Sequence, residues 1–220
     1  VSFIGEDVTN TIILENSGDL PIFNIINASY ITFKNITFQA LSFGVALFFG
    51  SNNSYINIEN CRFIGVEYSN TPFINSIESS NNQFIKIYNN TFENGGDAIA
   101  FDSNSSYITI ENNKFFNQIN NSIYLNNFYD SVRINNNYFY NNRTKTSQYN
   151  GISLYTCTKL VVNNNVLKIQ NGGNGISISQ SADAIIANNV IIIDTCSIDL
   201  SVESIGLRVN ESNNINAYYN

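Results

Sequence analysis

The sequence has no histidine, no tryptophan and no methionine, and its 220 residues include only two prolines and three cysteines. Without histidine it lacks the side chain that most often ligates metals and moves protons near neutral pH. There is also no Cys-x-x-Cys pair to suggest a zinc site, so no metal and no cofactor is expected. The cysteines, Cys61, Cys157 and Cys196, are odd in number and fall at different points of the repeat described below. A disulfide framework is not expected; these are read as small buried hydrophobes. Basic residues are scarce: 10 Lys and Arg stand against 17 Asp and Glu, for a net charge of −7 and a pI near 4.4. A nucleic-acid backbone asks for the opposite balance, so no nucleic-acid partner is expected. No apolar run reaches the roughly 18 residues of a membrane-spanning helix, so no transmembrane segment is expected. No Gly/Ser-rich or Pro-rich tract breaks the chain. One domain over residues 1–220 is therefore expected. The chain opens on Val1 and contains no methionine, which suggests a processed or trimmed piece of a larger protein, or a module within one.

What the chain does have is asparagine, 42 of them, and a nine-residue phrase that returns seven times. It runs Tyr30–Phe38, Tyr55–Phe63, Phe84–Phe92, Tyr107–Phe115, Ser131–Phe139, Lys159–Leu167 and Asp183–Ile191. The sixth position is always Asn: Asn35, Asn60, Asn89, Asn112, Asn136, Asn164 and Asn188, at intervals of 25, 29, 23, 24, 28 and 24 residues. A period in that range is the signature of a stacked solenoid. Positions two and four are apolar and three and five mostly polar, as in Tyr107-Ile-Thr-Ile-Glu111, which is the alternation of a half-buried strand. The Asn pair then bends the chain, since Asn tolerates left-handed backbone angles, and position nine is apolar again. A second phrase lies upstream: Asp97-Ala-Ile-Ala-Phe101, Asn121-Ser-Ile-Tyr-Leu125, Asn150-Gly-Ile-Ser-Leu154, Asn174-Gly-Ile-Ser-Ile178 and Ile205-Gly-Leu-Arg-Val209. It supplies a third short strand per repeat.

These patterns predict an all-β fold, a right-handed parallel β-helix of about eight coils with three short strands per coil, stacked at about 4.8 Å. The sixth-position Asn column is expected to form an amide ladder, and the position-nine Phe column a stack of core rings. A β-sandwich also has strands every 8–12 residues, but it does not repeat a side-chain phrase in register. Eight Asn-x-Ser/Thr sequons occur. With 36 Ser and Thr among 220 residues, 42 Asn give about seven by chance, so the number itself is not enrichment. Asn52, Asn104 and Asn142, on predicted turns, are the glycosylation candidates. Asn35 and Asn89, as ladder members, are expected to be unavailable.

The Gly-Ile-x-Ile strand followed by x-Ile-x-Asn-Asn-x-Phe, as in Gly175–Ile178 and Ala184–Ile191, resembles the pectate-lyase-like superfamily of right-handed β-helices. The Asn-rich, His-free style is most similar to its non-catalytic adhesin-like and surface-layer-like repeat proteins. That resemblance implies an extracellular or cell-surface setting and a structural or adhesive role. The superfamily also contains lyases, hydrolases and epimerases that act on polysaccharides, so a polysaccharide-acting enzyme or a carbohydrate-binding module on the same fold is the alternative. Its polygalacturonase-type hydrolases carry Asn-Thr-Asp, Gly-Asp-Asp, Gly-His-Gly and Arg-Ile-Lys on successive coils. Here Gly96-Asp97-Ala98 keeps one carboxylate of the second motif, Gly173-Asn174-Gly175 has Asn in place of the His of the third, and the other two motifs are missing. Asp97 and Asp102 are the weak catalytic candidates. Five residues of strand set them about 16 Å apart, too far to flank one glycosidic bond. Asp97 also shares a column with Asn121, Asn150 and Asn174, where Asn or Asp turns the chain.

Two outward stripes depart from the polar pattern. Tyr30, Tyr55, Phe84 and Tyr107 form an aromatic ladder that is a candidate for glycan stacking or partner contact. Val161, Val166, Ile185, Val190 and Ile192 turn outward on late coils and are the candidate interface with protein neighbours or other copies. A surface or host polysaccharide is the other expected partner.

Overall fold

A computed structural model describes residues 1–15, 21–41, 45–67, 74–76, 82–102, 104–128, 130–143, 149–170, 172–194 and 204–218, with backbone alone for 74–76 and 128. It is a right-handed parallel β-solenoid, with no helix among the described residues.

Three sheets run its length. The first holds the phrase strands β1 (Ser2–Ile4), β4 (Ser29–Lys34), β7 (Ser54–Glu59), β10 (Gln83–Tyr88), β13 (Ser106–Glu111), β16 (Asp130–Asn135), the second half of β18 (Asn150–Asn163), β21 (Ala182–Ala187) and β24 (Asn213–Tyr218). The second lies past the Asn corner and has eight strands: β2 (Ile12–Leu14), β5 (Thr37–Gln39), β8 (Arg62–Ile64), β11 (Thr91–Glu93), β14 (Lys114–Phe116), β17 (Tyr138–Asn141), β19 (Val166–Gln170) and β22 (Val190–Asp194). The third contains the upstream phrase: β3 (Phe23–Ile25), β6 (Leu47–Phe49), β9 (Ile74–Ser76), β12 (Ile99–Asp102), β15 (Asn121–Phe128), the first half of β18, β20 (Gly173–Ser179) and β23 (Ser204–Asn210). Seven turns have all three strands, from β3–β5 to β20–β22 with β18 serving two sheets, and the partial turns β1–β2 and β23–β24 lie at the ends, against about eight coils expected.

Pairing is parallel and in register, Ile85 with Ile56 and Ile108, and Phe92 with Phe63 and Phe115. Each apolar position therefore meets its own kind one coil away. Phe38, Phe63, Phe92, Phe115 and Phe139 stack with centroids 4.7–5.0 Å apart and are fully buried. Leu167 continues the column and Ile191 follows it. Where the rings give way, the third sheet comes closer. A Cβ on Gly151 would lie 2.5 Å from Leu167 Cδ2, and one on Gly175 2.6 Å from Ile191 Cγ2 and 2.5 Å from the Gly206 carbonyl oxygen. The glycines of Asn-Gly-Ile-Ser are thus required by packing.

The amide ladder is displaced by one residue from the expected position. The sixth-position Asn are the left-handed corner residues, with φ from 49° to 57°, and all but half-buried Asn35 are exposed. Their side-chain bonds are broken along the stack: Asn60 Nδ2 donates to Asn35 Oδ1 at 2.7 Å, but Asn188 donates to Asn163 instead. The continuous ladder is position seven: Asn90, Asn113, Asn137, Asn165 and Asn189, all buried. Each Nδ2 donates to the next Oδ1 at 2.9–3.1 Å. Each Oδ1 from Asn90 onward also accepts the backbone N–H of the preceding column member, beginning with Cys61 at 2.8 Å. The reason is geometric: the residue in the left-handed conformation points out, and the one after it points in, where the turned backbone leaves unpaired polar groups. Asn35 and Asn89 are therefore not ladder residues, and their expected burial in it does not hold.

Cys61 takes the ladder position in its own coil and is buried, its thiol pushed up to about 11 by burial. Cys157 is buried as well, and both are free thiols; Cys196 lies outside the described residues. On the third sheet Phe48 points outward beside Asn24, because Leu47 and Phe49 fill the core.

Candidate functional site

Asp97 precedes β12 on the third sheet, at the corner. One carboxylate oxygen accepts the Asn121 backbone N–H at 2.7 Å and the Asn121 Nδ2 at 2.9 Å. Asn150 Nδ2 donates to Asn121 and Asn174 Nδ2 to Asn150, both at 2.8 Å. Asp97 thus heads a second amide column. Burial raises its pKa above the ordinary carboxylate value, opposed by the two Asn121 donors. Asp102, at the far end of β12, is exposed and accepts Asn126 Nδ2 at 2.7 Å. Tyr124 is flanked by both acids; its phenol is raised by burial first and by the charges of Asp102 and Asp97 next. The two carboxylates stand at opposite ends of a strand, each bound to an amide of the next coil, which is the arrangement of coil-to-coil braces. Among the described residues no three Asp, Glu, Cys or His side chains group as metal ligands do. The two longest sequence insertions, 67–73 and 142–149, fall mostly outside the described residues.

The aromatic ladder is formed at the entry to the first sheet. Tyr30, Tyr55, Phe84 and Tyr107 all have left-handed backbones, φ 54–58°, which is costly for a bulky side chain and turns each ring outward at the second residue of its strand. The rings stack on one another with centroids 4.7, 4.8 and 4.8 Å apart and planes within 9° of parallel. Each inner ring therefore has both faces covered by neighbours, and solvent meets the ring edges. Only the two end rings, Tyr30 and Tyr107, have a face without a stacked neighbour in the column.

Past Tyr107 the same column continues as Ser131, Lys159 and Asp183, still with φ 48–55°. Asp130 bridges this step: it accepts the Tyr107 hydroxyl at 3.0 Å and Lys159 Nζ at 2.9 Å. Those bonds, that from Lys159 first, hold the Asp130 carboxyl below its usual range, while Asp130 raises Lys159 and Tyr107. Asp183 in turn accepts Asn214 Nδ2. Two open grooves of about 410 and 470 Å3 meet here, sharing Tyr107, Ser131 and Arg133. No pattern in the residues signals them, because a column position that changes from ring to hydroxyl looks like ordinary repeat decay.

The outward aliphatics lie on two faces. Val161 and Ile185 are cross-strand neighbours on the first sheet. Val166, Val190 and Ile192 are on the second, where Val166 pairs with Val190 and Lys168 with Ile192. The Asn corner separates the two groups. Val190 and Ile192 are each 51% exposed. The second-sheet group extends through side chains that the repeat reading did not single out: Tyr138 beside Val166, Tyr140 beside Lys168, and Phe116 beside Tyr140. Phe116 and Tyr138 rings lie 6.1 Å apart, and Lys168 Nζ sits 5.9 Å over Tyr138. The result is one aromatic–aliphatic surface over four adjacent strands. Asn52, Asn104 and Asn142 are exposed, and Asn52 Nδ2 donates to Asn27 Oδ1 at 3.0 Å.

Comparison with known proteins gives one match: a family described as "right handed beta helix region" matches residues 21–191. No curated protein and no solved structure matches the chain.

Proposed function

The chain belongs to the right-handed β-helix family, and from that premise we propose that it is a structural or adhesive β-helix of an extracellular or cell-surface protein, working by contact with protein neighbours or other copies of itself. The observation that carries this reading is the second-sheet surface. Phe116, Tyr138, Tyr140, Val166, Val190 and Ile192 point outward on β14, β17, β19 and β22, which are hydrogen-bonded in sequence. An aromatic–aliphatic surface of this kind on a β-sheet, interrupted by Lys168 between Tyr140 and Ile192, is the type that serves as a contact face, and its composition matches the cores of protein interfaces. Phe115, Phe139 and Leu167 stack in the core behind these strands, and a face backed by packed core needs little ordering on binding.

The test is hydrodynamic. Val190→Lys with Ile192→Lys places two charges on the most exposed strand of the face, β22. Sedimentation should show concentration-dependent association of the parent chain and a monomeric double variant of unchanged circular dichroism. Equal association of both would sink the reading. Surface display is tested separately, by whether protease added to intact cells removes the domain. The alternative, a polysaccharide-acting enzyme or a carbohydrate-binding module, draws on Asp97, Asp102 and the aromatic ladder. It finds less support, because Asp97 and Asp102 are bonded to Asn121 and Asn126 and the inner ring faces are covered by one another.

A further inference from the structure

Of the groups lining the grooves at the end of the aromatic ladder, several are already engaged. Asp130 holds both the Tyr107 hydroxyl and Lys159 Nζ, and Asp183 is bonded to Asn214. Lys86 lies 4.3 Å from the centroid of the Tyr88 ring. Arg133 belongs to both grooves and is exposed, and its guanidinium makes no hydrogen bond or ion pair with any described residue. Beyond it the wall is apolar, formed by Val161 and Ile185.

The geometry of the ladder fixes the shape of what is missing. Four rings stack at 4.7–4.8 Å, and the fifth position is Ser131, which leaves the outer face of Tyr107 uncovered. Lys159 follows one coil later. A flat group at the level of Ser131 would lie one strand repeat, about 4.8 Å, from each, with a π-face on Tyr107 and an ammonium on its other side. A sugar needs several free donors and acceptors for its hydroxyls, and here Asp130, Lys159 and Asp183 are already engaged, which leaves the small Thr109 and Ser131 hydroxyls beside Arg133. An aromatic ring needs none, and the single free guanidinium suits one anionic substituent.

We propose that the slot at Ser131 is a binding site for an aromatic ring carrying an anionic group, presented by an acidic peptide segment of a partner protein, with the ring completing the stack as its fifth member and the anion on Arg133. The site is on the first sheet, apart from the second-sheet contact face, so each proposal stands or falls alone.

The absence of tryptophan gives a direct assay, since indole emission then reports the probe alone. N-acetyltryptophan, with its free carboxylate, should show a saturable blue shift when titrated with the protein. Its uncharged carboxamide should bind on the order of tenfold more weakly, the worth of one charge-assisted contact. Ser131→Tyr supplies the fifth ring from within, at a backbone angle that Tyr107 already adopts. It should abolish binding without lowering the melting temperature. Arg133→Gln should retain weak binding but lose the preference for the carboxylate. The proposal is overturned if the parent chain gives no saturable shift at millimolar probe, if Ser131→Tyr binds as the parent does, or if methyl glucoside displaces the probe as well as N-acetylphenylalanine does. The last result would make the slot a sugar site. Should Ser131→Tyr fail to fold, the Arg133→Gln comparison decides alone: an unchanged preference for the carboxylate would overturn the assignment.

Discussion

Asn136 holds a left-handed backbone in solvent at φ 56°, whereas Asn137, the next residue, is buried with every polar atom of its amide engaged. Asn137 Oδ1 accepts from Asn113 N at 2.9 Å and Asn113 Nδ2 at 3.1 Å, and its Nδ2 donates to the Ile110 carbonyl and to Asn165 Oδ1 at 3.0 Å. Asn137→Ala strands the buried Asn113 backbone N–H and takes the side-chain donor from the Ile110 carbonyl, while Asn113 Nδ2 keeps the Ile87 and Glu111 carbonyls. At about 1–3 kcal/mol each, a loss of roughly 3 kcal/mol or more is expected in urea unfolding. Asn136→Gly should be near neutral, because glycine adopts the same backbone freely, and Asn136→Ala should cost about 1 kcal/mol from left-handed strain. Equal costs at the two positions would reject the division of roles. Asp97 makes a pH-dependent prediction. Its folded pKa is raised by burial, so its contribution to stability is fully present below the unfolded carboxylate pKa and is lost as pH rises through the folded value. Asp97→Asn should therefore raise the melting temperature at neutral pH, with the gain disappearing in acid. A fall at neutral pH would mean that the charge itself is needed.

At the scale of elements, the in-register stack decides what a substitution costs, because each residue is packed against its own kind above and below. Phe92 lies between Phe63 and Phe115, at 4.8 and 5.0 Å. Phe92→Ala opens a cavity on both sides, and a loss of about 3–5 kcal/mol is expected. Phe92→Leu should cost less, since Leu167 already fills the same column in a later coil. A calorimetric series that put the two substitutions level would show that the column relaxes around a gap. The strands themselves were legible in the alternation at Ile108, Thr109, Ile110 and Glu111, and so was the in-register stacking of Phe115 on Phe92. The ladder was misplaced because positions six and seven are both Asn in most repeats. Pattern alone does not say which of two identical neighbours turns inward; the φ of the corner residue does.

For the whole molecule, the stacking makes one continuous hydrogen-bonded body with distinct faces and one aromatic edge. If association runs through the second-sheet surface, it is led by apolar burial, so raising sodium chloride should leave it unchanged and sulfate should strengthen it. Dissociation at high sodium chloride would point instead to the charged first sheet. The outward aliphatics were visible in the sequence as a departure from the repeat. Their division between two sheets was not, nor was their continuation into Phe116, Tyr138 and Tyr140, because neighbours across a coil are separated by more than 20 residues of chain.

The sequence by itself determined the fold of this protein, because a solenoid's long-range contacts are repeats of one local pattern and the period is written in the residues. It also marked the positions where that pattern breaks. The tertiary structure decided what those breaks mean. It turned Asp97 into the head of an amide column and the aromatic ladder into rings that cover one another. It left the outer face of Tyr107 without a stacked ring, beside Arg133. Such relations depend on which groups partner which across coils, and pairing in space is the property that a one-dimensional pattern does not carry.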